Sequence, residues 1–159
     1  MVPIVTIDGP SGSGKGTIAK ALALKLNWNY LDSGLLYRCF AFLHNQDIEN
    51  ISDGFSRIEH TYDSASENIV FDGKDITSAI RGKELTILSS QLSQKSEVRE
   101  QLMQIQKQYR KMPGLVAEGR DMSSKLFPDS KVKIYLTADL SERVNRRANQ
   151  LRNDGQKVN

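Results

Sequence analysis

A glycine-rich segment near the start of the chain carries the residues whose types and spacing point most directly to chemistry. Its glycines let successive backbone N–H groups turn toward a common centre, where they can bind phosphate oxygens. Lys15 is expected to reach the β- and γ-phosphates of a nucleoside triphosphate, and Thr17 offers a hydroxyl to a phosphate or to the accompanying Mg²⁺. The segment therefore predicts a phosphate loop, made of Gly9, Pro10, Ser11, Gly12, Ser13, Gly14, Lys15, Gly16 and Thr17.

The phosphate-loop segment departs from the general pattern at one position. That pattern expects Ser or Thr directly after the lysine, whereas Gly16 stands there and Thr17 follows one residue later. The alternative interpretation is a flexible glycine turn in an ordinary α/β protein. An apolar strand before the segment and a helix after it favour phosphate binding, because the positive end of the helix dipole then faces the anion.

Strand and helix signals alternate around this segment. Residues 2–7 form an apolar, β-branched run, and Ile18, Ala21, Leu22 and Leu26 then recur at helical spacing. Residues 29–31 predict a second strand, residues 35–43 a helix, and residues 115–117 and 132–136 two further buried strands. Parallel strands need crossover connections, so this alternation predicts an α/β fold with a parallel sheet flanked by helices.

One region between the second helix and the third core strand interrupts the alternation. Within the polar residues 62–77, Asp72 and Gly73 separate two short β-prone runs, which predicts a small antiparallel hairpin. Two amphipathic helices follow it, with apolar residues at Leu85, Leu88 and Leu92 and then at Val98, Leu102, Ile105 and Tyr109. We therefore expect a single domain over 1–159, with a core of 1–44 and 113–159 and an inserted region at about 45–112.

Composition limits the possible partners and the compartment. The chain has 22 Lys and Arg against 19 Asp and Glu, and a net charge of +3 does not indicate a nucleic-acid or membrane surface. No apolar run is long enough to cross a bilayer, and the first residues lack the basic stretch of a signal peptide. The single cysteine, Cys39, excludes an internal disulfide and lies in an apolar stretch typical of packing. We expect a cytoplasmic protein.

The order of several motifs resembles the cytidylate kinases, a branch of the nucleoside monophosphate kinases. The form of the phosphate loop, with glycine and threonine after the lysine, is similar to that of nucleoside monophosphate kinases in general. The segment at 31–38, which contains Asp32, Ser33, Tyr37 and Arg38, resembles the cytidylate kinase version specifically. Further matching segments recur in order at residues 79–81, 90–91, 98–100, 114–122, 127–129 and 132–136.

The resemblance implies a site for a nucleoside monophosphate acceptor. An acceptor phosphate carries two negative charges beside the γ-phosphate, and arginine can bind phosphate in bidentate fashion. Arg38 and Arg120 both follow predicted strands, at the sheet edge where open α/β folds bind ligands. With Lys15 they form the implied catalytic set. The implied CMP-binding residues are Ser33, Tyr37, Arg38, Ser90, Arg99, Arg120 and Asp121.

Asp121 is the residue expected to select the base. Its carboxylate can accept from the N4 amino group of cytosine, whereas uracil would present a second acceptor, O4. On the donor side, Arg143, Arg146 and Arg147 lie on a predicted helix, and Arg143 and Arg147 share a face. Contact with ATP and a merely solvated basic face both fit these arginines, and Arg147 is the one assigned to ATP.

The resemblance implies transfer of the γ-phosphoryl group of Mg·ATP to CMP or dCMP by a monomeric enzyme, with the flap near 62–77 closing over the acceptor. Cytidylate kinases normally continue into a short lid and a last core strand, so we expect both to be missing from this sequence. Two alternatives stay open. One is a kinase for another nucleoside monophosphate, UMP or AMP; the other is a truncated nucleotide-binding fragment without activity.

Overall fold

The computed structural model of the protein describes residues 1–153 and 155 and divides into two compact units. The first unit comprises Met1–Ser33 and the described residues from Met103 onward. The second comprises Gly34–Leu102. The boundaries expected from the sequence, after residue 44 and before residue 113, stay a prediction.

A four-stranded parallel sheet forms the centre of the first unit. Its strands are β1 (Ile4–Asp8), β2 (Asn29–Asp32), β6 (Leu115–Gly119) and β7 (Val132–Tyr135), in the spatial order β2-β6-β1-β7. All residues of β1 and β6 are buried, as expected for the two inner strands of a parallel sheet. The predicted α/β class with a parallel sheet is confirmed.

Helix α1 (Lys15–Leu26) packs on this sheet through small residues. Its buried residues are Ala19 and Ala23, whereas Ile18 is 47% exposed and Leu26 is 40% exposed. The spacing of Ile18 and Leu26 predicted the helix correctly but indicated the wrong buried face. Alanine, which has only a methyl side chain, lets the helix backbone approach the strands closely.

Strand β7 corrects one expectation, since its sequence predicted a buried strand over 132–136. All four of its residues are exposed, and Tyr135 is 73% exposed. Within the part of the chain that the structure describes, β7 lies at one end of the sheet and pairs with β1 alone. An apolar run cannot distinguish an inner strand from an outer one, because burial depends on what packs against the strand.

The second unit contains a small antiparallel sheet of three strands, β3 (Ile58–Tyr62), β4 (Glu67–Phe71) and β5 (Lys74–Asp75). The predicted hairpin joins β4 to β5. Its turn residues Asp72 and Gly73 both have positive φ, 49° and 78°, as a two-residue hairpin turn requires. The sequence pattern does not predict β3, whose residues alternate between half-buried and exposed.

Five helices belong wholly or partly to the second unit. They are α2 (Ser33–Asn45), α3 (Ile51–Ser56), α4 (Thr77–Arg81), α5 (Lys83–Leu92) and α6 (Ser96–Lys107), of which α2 and α6 extend across the unit boundaries. Helices α3 and α4 contact the small sheet. Cys39 on α2 is buried, with 1% of its surface exposed, in agreement with a packing role. Helix α6 ends before Tyr109, which the sequence pattern had placed within the helix.

Two elements complete the first unit. A π-helical turn (Met122–Leu126) follows β6, and helix α7 (Leu140–Asn153) follows β7. Across residues 1–153 and 155, no helix is both long and apolar enough to cross a membrane.

Candidate active site

The phosphate-loop segment leaves the carboxyl end of β1 and runs directly into α1. Gly12 and Gly14 have φ of 78° and 88°, a left-handed conformation that glycine adopts without a Cβ clash. Helix α1 begins at Lys15, so its first N–H groups and the positive end of its dipole face the loop. This strand, loop and helix arrangement is the geometry that binds polyphosphate.

An open cavity of about 730 Å³ lies beside the loop. Ser13, Gly14 and Thr17 line one side, and Leu136 to Asp139 with Glu142 and Arg146 line another. The hydroxyl oxygen of Ser13 is buried and has no hydrogen-bond partner within residues 1–153. A cavity of this size fits a nucleotide, and the unsatisfied Ser13 hydroxyl belongs to one of the residues that line it.

Arginines of α7 contact the loop backbone. The Nε of Arg143 donates to the carbonyl oxygen of Ser11 at 3.0 Å, and Nη1 of Arg146 donates to that of Ser13 at 3.3 Å. Arg147, the arginine assigned to ATP from the sequence, donates to the side chain of Gln150 on its own helix. The structure therefore places Arg143 and Arg146 against the loop backbone. Sequence spacing alone does not show which arginines of α7 contact the loop.

Glu118 is a buried carboxyl group beside the loop, and the sequence alone assigns it no role. It lies on β6, is 5% exposed and accepts a hydrogen bond from the Tyr30 hydroxyl at 3.3 Å. Burial and the nearby Asp32 carboxylate raise the pKa of Glu118 to about 8, although the Lys15 ammonium opposes the shift. Glu118 is therefore mostly protonated at neutral pH, next to the lysine expected to bind phosphate.

Glu118 lies close to the glycine that follows Lys15. A Cβ atom added at Gly16 would lie 3.2 Å from Oε1 of Glu118, closer than side chains normally pack. Serine or threonine at this position would therefore press on a buried carboxyl group.

Ser33, Arg120 and Asp121 lie at the same carboxyl edge of the sheet. Ser33 is buried, and its Cβ would be 2.8 Å from a Cβ at Gly119, the last residue of β6. Arg120 and Asp121 follow Gly119 and are both exposed. Asp121 has a left-handed backbone with φ of 64°, and its carboxylate pairs with Lys125 at 3.3 Å.

The other predicted acceptor residues belong to the second unit. Tyr37 and Arg38 are half-buried on α2, and the Nε of Arg38 is buried without a hydrogen-bond partner among the described residues. Ser90 is exposed on α5. Arg99 on α6 is exposed and donates to the carbonyl oxygens of Ser93 and Gln94 at 3.2 and 3.0 Å, just past the end of α5.

Comparison with known proteins identifies the family of this chain. The cytidylate kinase family model matches residues 5–159. The chain belongs to the cytidylate kinase family. A cytidylate kinase of Stutzerimonas stutzeri is 46% identical over 99% of this chain and 73% of the relative. Cytidylate kinases of Aeromonas salmonicida and Azotobacter vinelandii are 42% and 43% identical, over 100% and 98% of this chain and 73% and 72% of the relatives.

In this member of the cytidylate kinase family, Glu118 gives a testable pH dependence of stability. The pKa of Glu118 rises from an ordinary 4.5 to about 8 on folding, so the folded state keeps a proton that the unfolded state releases. This contribution to stability is fully present below about pH 4.5 and is lost as the pH rises through about 8. We expect Glu118→Gln, which resembles the neutral acid, to flatten the fall in unfolding free energy between about pH 5 and pH 8.

Urea unfolding at several pH values from mildly acidic to mildly alkaline measures this effect. Glu100→Gln, at an exposed position on α6, is the matched control and should keep the pH dependence of the unmodified protein. Parallel curves for the unmodified protein and Glu118→Gln would show that Glu118 is already ionised in the folded state.

Proposed function

We propose that this protein transfers the γ-phosphoryl group of ATP to CMP or dCMP, giving ADP and CDP or dCDP. Membership of the cytidylate kinase family supports this reaction. The observation that carries the proposal is the phosphate loop at the carboxyl end of β1, with a nucleotide-sized cavity beside it. The family favours CMP over the alternative acceptors UMP and AMP, and favours an enzyme over a binding module.

Phosphoryl transfer needs positioning and charge neutralisation more than covalent chemistry. The loop N–H groups and the N-terminus of α1 bind the donor phosphates, and Lys15 holds the β- and γ-phosphates in line for transfer. Arg38 and Arg120 bind the acceptor phosphate and offset its repulsion from the γ-phosphate. No general base is required, because the acceptor phosphate is already ionised.

The acceptor base is proposed to lie against Asp121, with Ser33, Tyr37, Ser90 and Arg99 completing the CMP site. The exposed carboxylate of Asp121 accepts from the cytosine amino group. On the donor side, Arg147 is proposed to contact ATP, together with Arg143 and Arg146, which already bind the loop backbone.

Magnesium is proposed to enter with ATP. The Thr17 hydroxyl is exposed on the first turn of α1 and lines the cavity, and a hydroxyl oxygen suits a hard cation such as Mg²⁺. Thr17 would hold the ion beside the phosphates. The bound ion would supply additional neutralisation of the charge on the transferring group.

We also propose that the protein acts as a monomer in the cytoplasm and takes small nucleotides as its only partners. A net charge of +3 gives no strongly basic surface for nucleic acid or anionic lipid. A single buried cysteine suits a reducing compartment.

A coupled assay of ADP release with CMP, dCMP, UMP and AMP tests the proposed function. We expect kcat/KM for CMP and dCMP to exceed that for UMP by about tenfold or more, because uracil presents an acceptor to Asp121. AMP should be a poorer acceptor than CMP. Preference for AMP would overturn the base assignment, and ATP binding without turnover on any acceptor would favour a silent nucleotide-binding module.

A further inference from the structure

Asp8 is a buried carboxylate at the point where the phosphate loop begins. It is the last residue of β1, is 6% exposed and directly precedes Gly9. A carboxylate in such a position is costly unless hydrogen-bond donors satisfy it. The hydrogen-bond donors that contact the Asp8 carboxylate therefore indicate its role.

Both oxygens of Asp8 bind one short segment. Oδ1 accepts from the backbone N–H of Met122 at 2.7 Å. Oδ2 accepts from the backbone N–H of Ser123 at 2.9 Å and from its hydroxyl at 2.6 Å. Met122 and Ser123 open the π-helical turn, and the first N–H groups of a helical turn lack partners within the turn. Asp8 supplies those partners from a distant strand.

This arrangement changes the role of Asp121, which is the capping residue of the same turn. An aspartate at a helix N-cap usually accepts from the next N–H groups with its own side chain. The Asp121 side chain makes no such bond, and its backbone is left-handed with φ of 64° and ψ of 16°. The Asp121 carboxylate is instead exposed, where a ligand can reach it, and its Oδ2 pairs with Lys125 at 3.3 Å.

We propose that Asp8 is a positioning residue for acceptor specificity. By capping the turn in place of Asp121, it holds the backbone of Asp121 in the left-handed region and leaves the Asp121 carboxylate available to the cytosine amino group. The last residue of β1, which directly precedes the phosphate loop, thus also fixes the segment that contacts the acceptor base. This inference rests on the proposed function, because it needs CMP to bind at Asp121.

Asp8→Asn is the sharpest test, since asparagine has nearly the same shape but replaces one acceptor oxygen with an NH₂ group. One of the N–H groups at Met122 and Ser123 then loses its acceptor, and the Asp121 carboxylate is free to turn back and cap the turn. We expect the ratio of kcat/KM for CMP to that for UMP to fall about tenfold, mainly through a higher KM for CMP. The dissociation constant of a non-hydrolysable ATP analogue, measured by calorimetry, should change by less than about threefold.

Three further variants define the comparison. Asp121→Asn should lower the ratio of CMP to UMP as Asp8→Asn does. Ser123→Ala removes only the hydroxyl contact and should lower the ratio by about threefold. Ser130→Ala is the structural control. Ser130 is 6% exposed, and its hydroxyl donates to the carbonyl oxygen of Ile4, which lies on β1 as Asp8 does, at 3.0 Å. Ser130→Ala should leave the ratio unchanged.

The outcomes separate this inference from the proposed function. If the unmodified protein does not prefer CMP to UMP, the proposed function fails whatever Asp8 does. If it prefers CMP and Asp8→Asn lowers kcat equally for all acceptors with the ratio unchanged, Asp8 is merely structural and the inference is overturned. Should Asp8→Asn fail to fold, Ser123→Ala decides: a lowered ratio supports the inference, and an unchanged ratio overturns it.

Discussion

Replacement of Lys15 with alanine is expected to lower kcat by about a thousandfold or more. Lys15 is the first residue of α1, directly after the glycines of the loop, and a charge at this point stabilises the negative charge that develops as the phosphoryl group moves. The loop N–H groups stay in place without it. We therefore expect ATP to bind the variant more weakly but still measurably, with the larger loss in the chemical step.

Single-turnover measurements with saturating ATP, and with enzyme in excess over CMP, separate binding from chemistry for this variant. Lys25→Ala is the matched control: it removes the same charge from the last turn of the same helix, where the side chain is exposed. It should keep nearly full activity. Turnover by Lys15→Ala within about tenfold of the unmodified protein would discredit the assignment of the phosphate loop.

Replacement of Arg38 with methionine is expected to raise KM for CMP by about a hundredfold. The buried Nε of Arg38 has no hydrogen-bond partner in the part of the chain that the structure describes, and an unsatisfied charged donor costs stability. A phosphate group would satisfy that donor. Methionine keeps most of the apolar stem but removes the guanidinium, so the variant should lose acceptor binding without losing the packing of α2.

The sign of the effect on stability makes this prediction specific. Without ligand, Arg38→Met should be as stable as the unmodified protein or more stable, and the stabilisation that CMP gives should disappear. Thermal unfolding with and without CMP measures both effects. Arg57→Met is the control, because the exposed Arg57 in the same unit pairs with Asp72 and not with a proposed ligand. A hundredfold rise in KM for Arg57→Met as well would point to a general charge effect instead.

Sequence patterns predicted the local elements of this fold well because their signals are local. The β-branched run before Gly9, the helical spacing after Lys15 and the Asp72–Gly73 turn each specify a backbone shape within a few residues. The prediction of which face of α1 is buried was wrong, since Ala19 and Ala23 pack against the sheet where larger residues were expected. Strand β3 was missed because its half-buried residues lack a clear apolar alternation.

Site residues could be predicted from the sequence only where they belong to a recognisable motif. The residues from Gly9 to Thr17 form a contiguous segment, so their pattern is visible without the fold. Glu118 lies within the matching segment 114–122 and Asp8 directly precedes Gly9, but neither position shows a role in the sequence, because their burial and contacts arise from the parallel registers that pair β6 with β1 and with β2. Asp8 and Ser123 are 115 positions apart in the chain, and only the sheet brings them together.

The buried Cys39 offers a further use beyond packing. As the only thiol in the chain, and 1% exposed on α2, it reacts with a thiol reagent only when its surroundings open. The rate of modification under native conditions therefore reports the free energy of that opening. Because Arg38 is the adjacent residue on the same helix, a ligand that binds there should slow the labelling, so a single natural residue can report occupancy without an introduced probe.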